Sequence, residues 1–435
     1  MNKLLFLLLP VIIFAKSSML SSIPLPKTYI MNLDPYKCDT ECLQEYLDKD
    51  LIFSFLAHAN KKLTDKELDN IRAMNVSIFN LGAFNAGGKL KIALLLPYKK
   101  IGKYASSTIN ATFAYLMTKS NPFALKSYKI ESEKSEDLNK AIQQIQNDGF
   151  DYVIAPLTHK GAANLIALDP VVNIYFPTIN KSDINSSSAY YTFGAINYNA
   201  QSRLLLKEAV SPLIIFSDKS TIGRKLANYQ KEEFLYPTKT VEEQVASDGV
   251  FGSFFDASKK EVTEPQKRAI DPNKKVIQYF VSRKTTNLQY YLKENKKIVD
   301  GSFFINTPII KTGMILSQLT LYDTNATNVL STQINYNPLL LSMTQYIDRK
   351  KMIVANSIVK NNAVVIETNS LLGNDIVYDW INYTTTIGVD YFYSLITGEA
   401  REYDVNVSNQ QMVYDIELLH PGRTKFSKYS SFKKR

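Results

Sequence analysis

Short apolar runs alternate along the chain with segments in which apolar residues recur every three or four positions. Residues 92–96 form a continuous apolar run that ends at a proline, as expected of a strand covered on both faces in a parallel sheet. Ile109, Phe113 and Leu116 then recur at helical spacing. Because ligands meet the carboxyl ends of strands in open α/β sheets, the polar segment 98–106 is predicted to be a turn at a binding edge.

The same alternation continues to the end of the chain and predicts an α/β protein with parallel sheets. Further strands are predicted at residues 152–155, 171–176, 190–196, 213–216, 275–280, 302–305 and 328–333. Helices are predicted to begin at Ser135 and to cover residues 162–168, 199–209, 221–234 and 379–395. The closing sequence REYDVNVSNQQMVYDIELL alternates like a hairpin.

The first residues predict export from the cytoplasm. A basic start, an apolar run over residues 4–14 and the small residue Ala15 match a secretory signal peptide over residues 1–15. The alternative is a buried helix of the mature fold. No later segment is long and apolar enough to span a bilayer, so the sequence predicts a periplasmic protein that does not cross the membrane.

Residues 16–87 are predicted to form a small helical extension, which contains the two cysteines of the chain, Cys38 and Cys42. In an oxidising compartment these predict a local disulfide, with Asp39 capping the helix that follows. A zinc site would need further ligands nearby. Thr64 and Glu67 have the spacing of a capping box and predict a second helix start.

The formal net charge is +10, and part of it is local to a basic tail over residues 425–435. Such tails are usually solvated. The charge favours anionic partners in the envelope: a lipid leaflet, the carboxylate-bearing peptides of the wall, or an acidic protein surface. Nucleic acid is not an expected partner, since no basic motif interleaved with aromatics is present.

Catalytic patterns are not evident in this sequence. The three histidines, His58, His159 and His420, are far apart and lack metal-ligand spacing. Nucleophile elbows, phosphate loops and Ser-x-x-Lys sets are also missing. The chain is therefore expected to be no enzyme and to use no metal or cofactor.

Polar residues at predicted strand ends are the candidates for lining a ligand cleft, where helix N-termini favour anions. The alternative is that they only cap helices. Trp380, the single tryptophan, is predicted to pack in the core. The cleft candidates are Tyr98, Lys99, Thr158, His159, Asn180, Ser182, Asp218 and Ser220.

Three asparagines match the extended bacterial glycosylation sequon, in which an acid lies two residues before the Asn. They are Asn185, Asn325 and Asn406. The pattern resembles targets of the periplasmic glycosylation system of Campylobacter-like bacteria, and modification would require that enzyme in the host.

Four segments taken in order, IALLLPY, YVIAPLTHKGAANL, IYFPTIN and PLIIFSDKSTIGRKLANYQKEEF, resemble the two-lobed type I periplasmic binding-protein fold. Within that class they are most similar to the C-terminal domain of the penicillin-binding protein activator family. The resemblance implies a first lobe over residues 88–205 and a second over 206–345. A return segment over 346–424 would then complete both lobes and end in the hairpin.

The resemblance implies a non-catalytic periplasmic accessory protein that regulates peptidoglycan synthesis or scaffolds an envelope machine such as the flagellar motor. Its partner would be a wall synthase or a motor component. The alternative is a solute receptor for an amino acid or peptide, with Thr158, Ser182 and Asp218 as the binding set. Tyr98 and Lys99 are bulkier and more basic than such a receptor would be expected to carry.

Overall fold

The computed structural model describes residues 30–79, 81, 90–237, 273–358 and 361–430. The chain divides into two compact units, Met1–Gly87 and Gly88–Arg435. The predicted signal peptide and the last five residues of the predicted basic tail lie outside the described residues. Among the described residues, no helix combines the length and the apolar composition needed to cross a membrane.

The helices are α1 Thr40–Asp48, α2 Ile52–His58, α3 Lys66–Ile78, α4 Tyr98–Ile101, α5 Lys103–Met117, α6 Ser135–Asn147, α7 His159–Leu168, α8 Tyr198–Leu206, α9 Thr221–Leu235, α10 Gln289–Leu292, α11 Ile309–Leu321, α12 Pro338–Met343, α13 Tyr346–Arg349, α14 Ala363–Leu371 and α15 Trp380–Thr397. The strands are β1 Leu90–Leu96, β2 Phe123–Lys129, β3 Tyr152–Ile154, β4 Asn173–Phe176, β5 Tyr191–Phe193, β6 Leu213–Asp218, β7 Val276–Val281, β8 Ser302–Asn306, β9 Asn328–Ser331, β10 Met352–Asn356, β11 Asn406–Ser408, β12 Gln411–Val413, β13 Glu417–Pro421 and β14 Phe426–Lys428.

The first unit contains α1–α3 around a small apolar core. Asp39 caps α1 by accepting a hydrogen bond from the backbone N–H of Cys42 at 3.0 Å, and Cys38 and Cys42 form a disulfide bond. A bond across so short a loop stabilises mainly by restricting the unfolded chain, and the loop length corresponds to about 2 kcal/mol. The core side chains are Leu43, Phe55, Leu56, Ala59 and Leu68.

The helix predicted from the capping box begins with a different cap. The side chain of Asp65 accepts hydrogen bonds from the backbone N–H groups of Glu67 and Leu68 at 2.9 and 3.0 Å. Asp65 therefore provides the cap where Thr64 was expected, since its carboxylate can satisfy two of the free N–H groups at once.

The second unit consists of two lobes, each built on a seven-stranded sheet flanked by helices. The sheet of lobe 1 has the order β11-β12-β5-β4-β3-β1-β2, and its five consecutive strands β1–β5 are parallel. Residues 92–96 of β1 are fully buried, because helices cover both faces of a parallel sheet. The predicted hairpin forms β11 and β12 and is added at one edge of this sheet.

The sheet of lobe 2 has the order β14-β13-β10-β9-β8-β6-β7. Strands β6–β10 are parallel, whereas β13 runs antiparallel to both β10 and β14. The two sheets together confirm the predicted two-lobed α/β fold. Residues after 346 complete both sheets, because β11 and β12 join lobe 1 while β10, β13 and β14 join lobe 2.

The lobe boundary lies one helix earlier than the sequence placed it. Helix α8 packs against α9 and β10, and its buried Gln201 donates hydrogen bonds to Gln333 and Ser357 at 3.0 and 2.8 Å. Helical periodicity alone gives no information about which sheet covers a helix. Residues 198–206 therefore belong to lobe 2.

The first part of the predicted basic tail is ordered. Residues 426–428 form β14, and the ring of Phe426 lies 4.9 Å from that of Tyr336. The expectation of a solvated tail is wrong for Phe426, whose ring packs against Tyr336, whereas Ser427 and Lys428 are exposed. Lys428 faces outward and forms an ion pair with Glu417 at 3.4 Å.

Candidate functional site

A cleft of about 530 Å³ lies between the two lobes of the second unit. Lobe 1 contributes the turns after β4 and β5, and lobe 2 contributes the ends of β6 and β8 and the start of α9. This is the carboxyl edge of both parallel sheets, where α/β folds bind ligands. The lining includes Tyr104, Thr178, Asn180, Ser182, Asp183, Asn197, Tyr198, Asp218, Ser220, Ile222, Lys225, Leu226, Asn306, Thr307, Ile334 and Trp380.

Half of the predicted cleft residues line this cavity. Asn180 and Ser182 do so from lobe 1, and Asp218 and Ser220 from lobe 2. The lining does not include the other four candidates, which are Tyr98, Lys99, Thr158 and His159.

The predicted turn after β1 is helical. Pro97 precedes α4, and Gly102, whose φ of +54° suits glycine, separates α4 from α5. Lys99 points to an ion pair with Glu131 at 2.5 Å. The lysine-rich segment therefore forms a short helix just before α5, and neither Tyr98 nor Lys99 is among the residues that line the cavity.

Thr158 caps α7 and is hydrogen-bonded to a buried carboxylate. Its backbone N–H donates to Glu133 Oε1 at 2.8 Å, and its hydroxyl donates to Glu133 Oε2. Glu133 is 7% exposed. A Cβ added at Gly161 would lie 2.5 Å from the Glu133 carboxyl carbon, so only glycine allows the carboxylate to approach the helix this closely. The N-terminus of α7 already holds an anion.

His159 is the first residue of α7, and its Nε2 lies 2.7 Å from the carbonyl oxygen of Asp183. The imidazole thus ties α7 to the turn after β4.

Asn180 and Ser182 form a local turn. The side-chain oxygen of Asn180 accepts hydrogen bonds from the backbone N–H and the hydroxyl of Ser182, at 3.0 and 2.7 Å. The amide of Asn180 reaches toward the carbonyl of Ala195 at 3.5 Å. This arrangement matches the capping alternative.

Asp218 and Ser220 are also bonded to each other. Ser220 caps α9 by accepting from the N–H of Gly223 at 3.0 Å, and its hydroxyl donates to Asp218 Oδ1 at 2.5 Å. The same carboxylate oxygen accepts from the Ser220 N–H at 3.1 Å. The Asp218 carboxylate therefore lies at the N-terminus of α9, on the side that faces the cleft.

An ion pair bridges the two lobes across the cleft. Lys225 on α9 contacts Asp183 after β4, and both side chains are partly exposed. An exposed pair of this kind contributes at most about 1 kcal/mol. The sequence gives no sign of it, because the two residues come together only when the lobes face each other.

Deeper in the lobe 2 wall, two pairs of polar side chains are hydrogen-bonded to each other. The amides of Asn306 and Gln230 exchange two hydrogen bonds, at 2.6 and 3.1 Å. The hydroxyls of Thr307 and Thr312 lie 2.9 Å apart. All four side chains are buried, and each has a hydrogen-bond partner within the protein.

Aromatic residues line the part of the cleft near α5 and α15. Tyr104, Tyr198 and Trp380 contribute to this region. Burial raises the pKa of the Tyr198 phenol. Trp380 is only partly buried, so the prediction of a core tryptophan is wrong: it occupies the first helical turn of α15, where the cleft reaches it. Burial also raises the pKa of Asp379, the α15 cap.

The three sequons differ in their surroundings. Asn185 lies in an exposed loop after the β4 turn. Asn325 is exposed, but its amide donates to Asp300 Oδ1 at 2.5 Å. Asn406 lies on the edge strand β11, whose side chains are exposed.

Replacing Glu133 with Ala is expected to lower the free energy of unfolding by about 2 kcal/mol, because the Thr158 N–H and hydroxyl lose their buried acceptor. Formate should restore part of the loss by entering the vacated anion position. The measurement is the thermal midpoint of wild type and variant in sodium formate and in sodium chloride. Glu136→Ala, at an exposed site on α6, is the control; an equal formate effect on all three proteins would contradict this account.

No family model matches the chain, and no curated protein sequence matches it. Among solved structures, the leucine-binding protein LivK of Thermotoga maritima superposes with a TM-score of 0.51 at 10% identity, covering 78% of this chain and 98% of that protein. The fold is that of the type I periplasmic binding proteins. Full-length LpoA of Haemophilus influenzae gives a TM-score of 0.50 at 11% identity, over 89% of this chain and 65% of LpoA. Its C-domain, a regulator of PBP1A, gives 0.49 at 10% identity, over 78% of this chain and 100% of that domain.

These comparisons confirm the resemblance inferred from the sequence at the level of the fold. At such identities the type I periplasmic binding-protein-like fold is shared by a leucine-binding protein and by LpoA. The fold alone does not choose between these functions. The choice depends on what the cleft and the surface of this chain can bind.

Proposed function

We propose that the chain is a non-catalytic periplasmic accessory protein whose two-lobed domain acts through contacts with other envelope proteins. The observation that carries this proposal is that the main polar groups facing the cleft are bonded within the protein. The Asn180 and Ser220 side chains, which line the cleft, both serve as caps with internal partners.

An amino-acid receptor would need free donors for a carboxylate and a free acid for an ammonium group. Here the Asp218 carboxylate accepts two hydrogen bonds from Ser220. Asp183 is paired with Lys225. A charged solute would have to displace these resident partners before it could bind to the same groups.

Regulation of peptidoglycan synthesis, with a wall synthase as partner, is the first specific role that we propose. It rests on the sequence resemblance to the penicillin-binding protein activator family. Scaffolding of a periplasmic machine such as the flagellar motor is the neighbouring role, and it rests on analogy. Both roles require a periplasmic protein, and we propose that the signal peptide, residues 1–15, is removed on export. We also propose that sequon asparagines are glycosylated. Asn185 is the most accessible candidate because it lies in an exposed loop.

The second candidate function is a solute receptor, and the aromatic end of the cleft favours it. A cavity of about 530 Å³ lies within the usual range of small-molecule sites. Trp380, Tyr104 and Tyr198 would suit an uncharged aromatic or apolar ligand better than an amino acid. The partners of such a receptor would be the solute and a permease.

Crosslinking of intact envelopes followed by capture of the tagged chain tests the main proposal. Enrichment of a wall synthase or a motor component over a tagged, unrelated periplasmic protein is the expected result. Recovery of neither class, together with stabilisation of the purified chain by a small molecule, would replace the accessory function with the receptor.

A further inference from the structure

A second cavity, of about 540 Å³, lies beside strand β7 of lobe 2. Strand β7 contributes Gln278, Tyr279 and Phe280, and the other lining residues are Lys219, Arg224 and Tyr291. Among the described residues, β7 is the last strand of its sheet and pairs only with β6.

The strand register shows which backbone groups face this cavity. The N–H of Leu213 donates to the carbonyl of Lys275 at 2.8 Å, while Leu213 itself is paired with Val276. In a parallel pair, alternate residues direct both backbone groups to the same neighbour. Residues 277 and 279 therefore face β6, and Gln278 and Phe280 direct their N–H and C=O groups to the outer edge.

Side chains from both faces of the sheet surround this edge. Gln278 donates to the carbonyl of Ala227 on α9, which places it on one face. Tyr279 lies on the other face, where its ring is 4.6 Å from Tyr291 and 5.3 Å from the buried Phe216. The cavity therefore lies over the strand edge itself, with a fixed aromatic wall.

The rim of the cavity is basic and apolar. Lys219 and Arg224 are exposed, and Arg224 donates through Nε and Nη2 to the carbonyl of Lys219, which fixes the position of its charge. Arg283 and Lys284 follow directly after the strand and are also exposed. Phe280 is 46% exposed. An open strand edge with apolar side chains is a template for another strand.

We propose that the outer edge of β7 binds an extended, acidic segment of a partner protein as an added strand. The proposal rests on the accessory function and names the surface through which it acts. Backbone groups of Gln278 and Phe280 pair with the segment, its apolar side chains contact Phe280, Tyr279 and Tyr291, and its carboxylates meet the basic rim. In strand addition of this kind, backbone hydrogen bonds provide the affinity and side-chain contacts at alternate positions provide the specificity.

The test uses the full chain and a fluorescein-labelled peptide in which Glu alternates with Val and Phe, followed by anisotropy. Wild type is expected to bind this peptide saturably and not to bind the same peptide with Lys in place of Glu. The double variant Lys219→Glu, Arg224→Glu should bind about tenfold more weakly or worse, whereas Lys160→Glu, at an exposed site on α7, should bind as wild type does. No binding by wild type, or undiminished binding by the double variant, would overturn the proposal.

A backbone test separates strand addition from simple charge attraction. Phe280→Ala removes the ring, and Phe280→Pro removes the ring and the outward N–H, a change tolerated on edge strands. The Pro variant should bind the acidic peptide about tenfold more weakly than the Ala variant. Equal affinities of these two variants would overturn strand addition.

Envelope capture with wild type and the charge-reversed double variant distinguishes this proposal from the function on which it rests. Loss of the captured synthase or motor component with the double variant supports the β7 edge. Equal capture by both would overturn this surface and leave the accessory function standing. Failure of wild type to capture any such protein would overturn the accessory function itself.

Discussion

Replacing Asp390 with Ala is expected to lower the free energy of unfolding of the second unit by about 4 kcal/mol. Asp390 is fully buried in α15. Its carboxylate accepts from the Tyr115 hydroxyl at 2.7 Å and the Glu402 N–H at 2.7 Å, and it pairs with Arg401 Nε at 3.0 Å. Removing one partner of a buried ion pair leaves the other charge uncompensated, which costs about 3–5 kcal/mol.

Burial and the neighbouring Asp390 charge together raise the pKa of the Tyr115 phenol, so the hydroxyl remains a donor at neutral pH. Urea unfolding followed by tryptophan fluorescence measures the effect, because the single tryptophan, Trp380, lies in the second unit. Asp415→Ala, at an exposed site, should change stability by less than about 0.5 kcal/mol. Equal losses for the two variants would contradict the role assigned to the buried carboxylate.

Replacing Gly388 with Ala is expected to destabilise the second unit by about 3 kcal/mol. A Cβ at this position would lie 2.2 Å from Cε1 of Tyr175, a distance that forces the ring to move. Tyr175 is fully buried, and its hydroxyl donates to the Thr384 carbonyl at 2.7 Å, so the ring has no room to yield. Overpacking of a core typically costs about 1–3 kcal/mol, although alanine regains some helix propensity.

The same urea experiment tests the clash. Gly313→Ala in α11 is the matched control, since its nearest contact would be the Thr344 methyl at 3.3 Å, and it should be nearly neutral. Combining Gly388→Ala with Tyr175→Leu should cost less than the sum of the single changes, because the smaller side chain relieves the clash. Additive losses would show that the ring and the glycine are not coupled.

The sequence predicted the strands that are buried on both faces. Residues 92–96 of β1 and 213–216 of β6 are continuous apolar runs, and both belong to strands that are paired on both sides. Strand β2, Phe123–Lys129, was not predicted, because it is an edge strand in which polar residues interrupt the apolar ones. A continuous apolar run indicates a strand that is buried on both faces. A strand that is less fully covered carries polar residues as well, so this signal is lost.

The candidate site was predicted in part because capping is a local property. Ser220 and Thr158 lie at the helix starts where the sequence placed them. Their decisive partners could not be predicted, because Glu133 is separated from Thr158 by 25 residues and Asp183 from Lys225 by 42. Such pairs depend on how the loops and lobes approach each other, and no short-range pattern encodes that approach.

Sequence reasoning also assigned Trp380 to the core from the apolar character of its helix. Helix α15 is largely buried, but its first residue meets the cleft. A terminal position on a buried helix differs from an interior one, and periodicity does not distinguish them.

The most direct test of the central claim, that the cleft is not a receptor site for amino acids or other charged solutes, follows Trp380 fluorescence and the thermal midpoint together. Because Trp380 lines the cleft, a ligand that enters should change its emission, and binding to the folded state should raise the midpoint. The protein would be titrated with amino acids and with charged, soluble wall fragments. We predict that neither signal changes with any of them, whereas a saturable change in emission accompanied by a rise in the midpoint would contradict the claim.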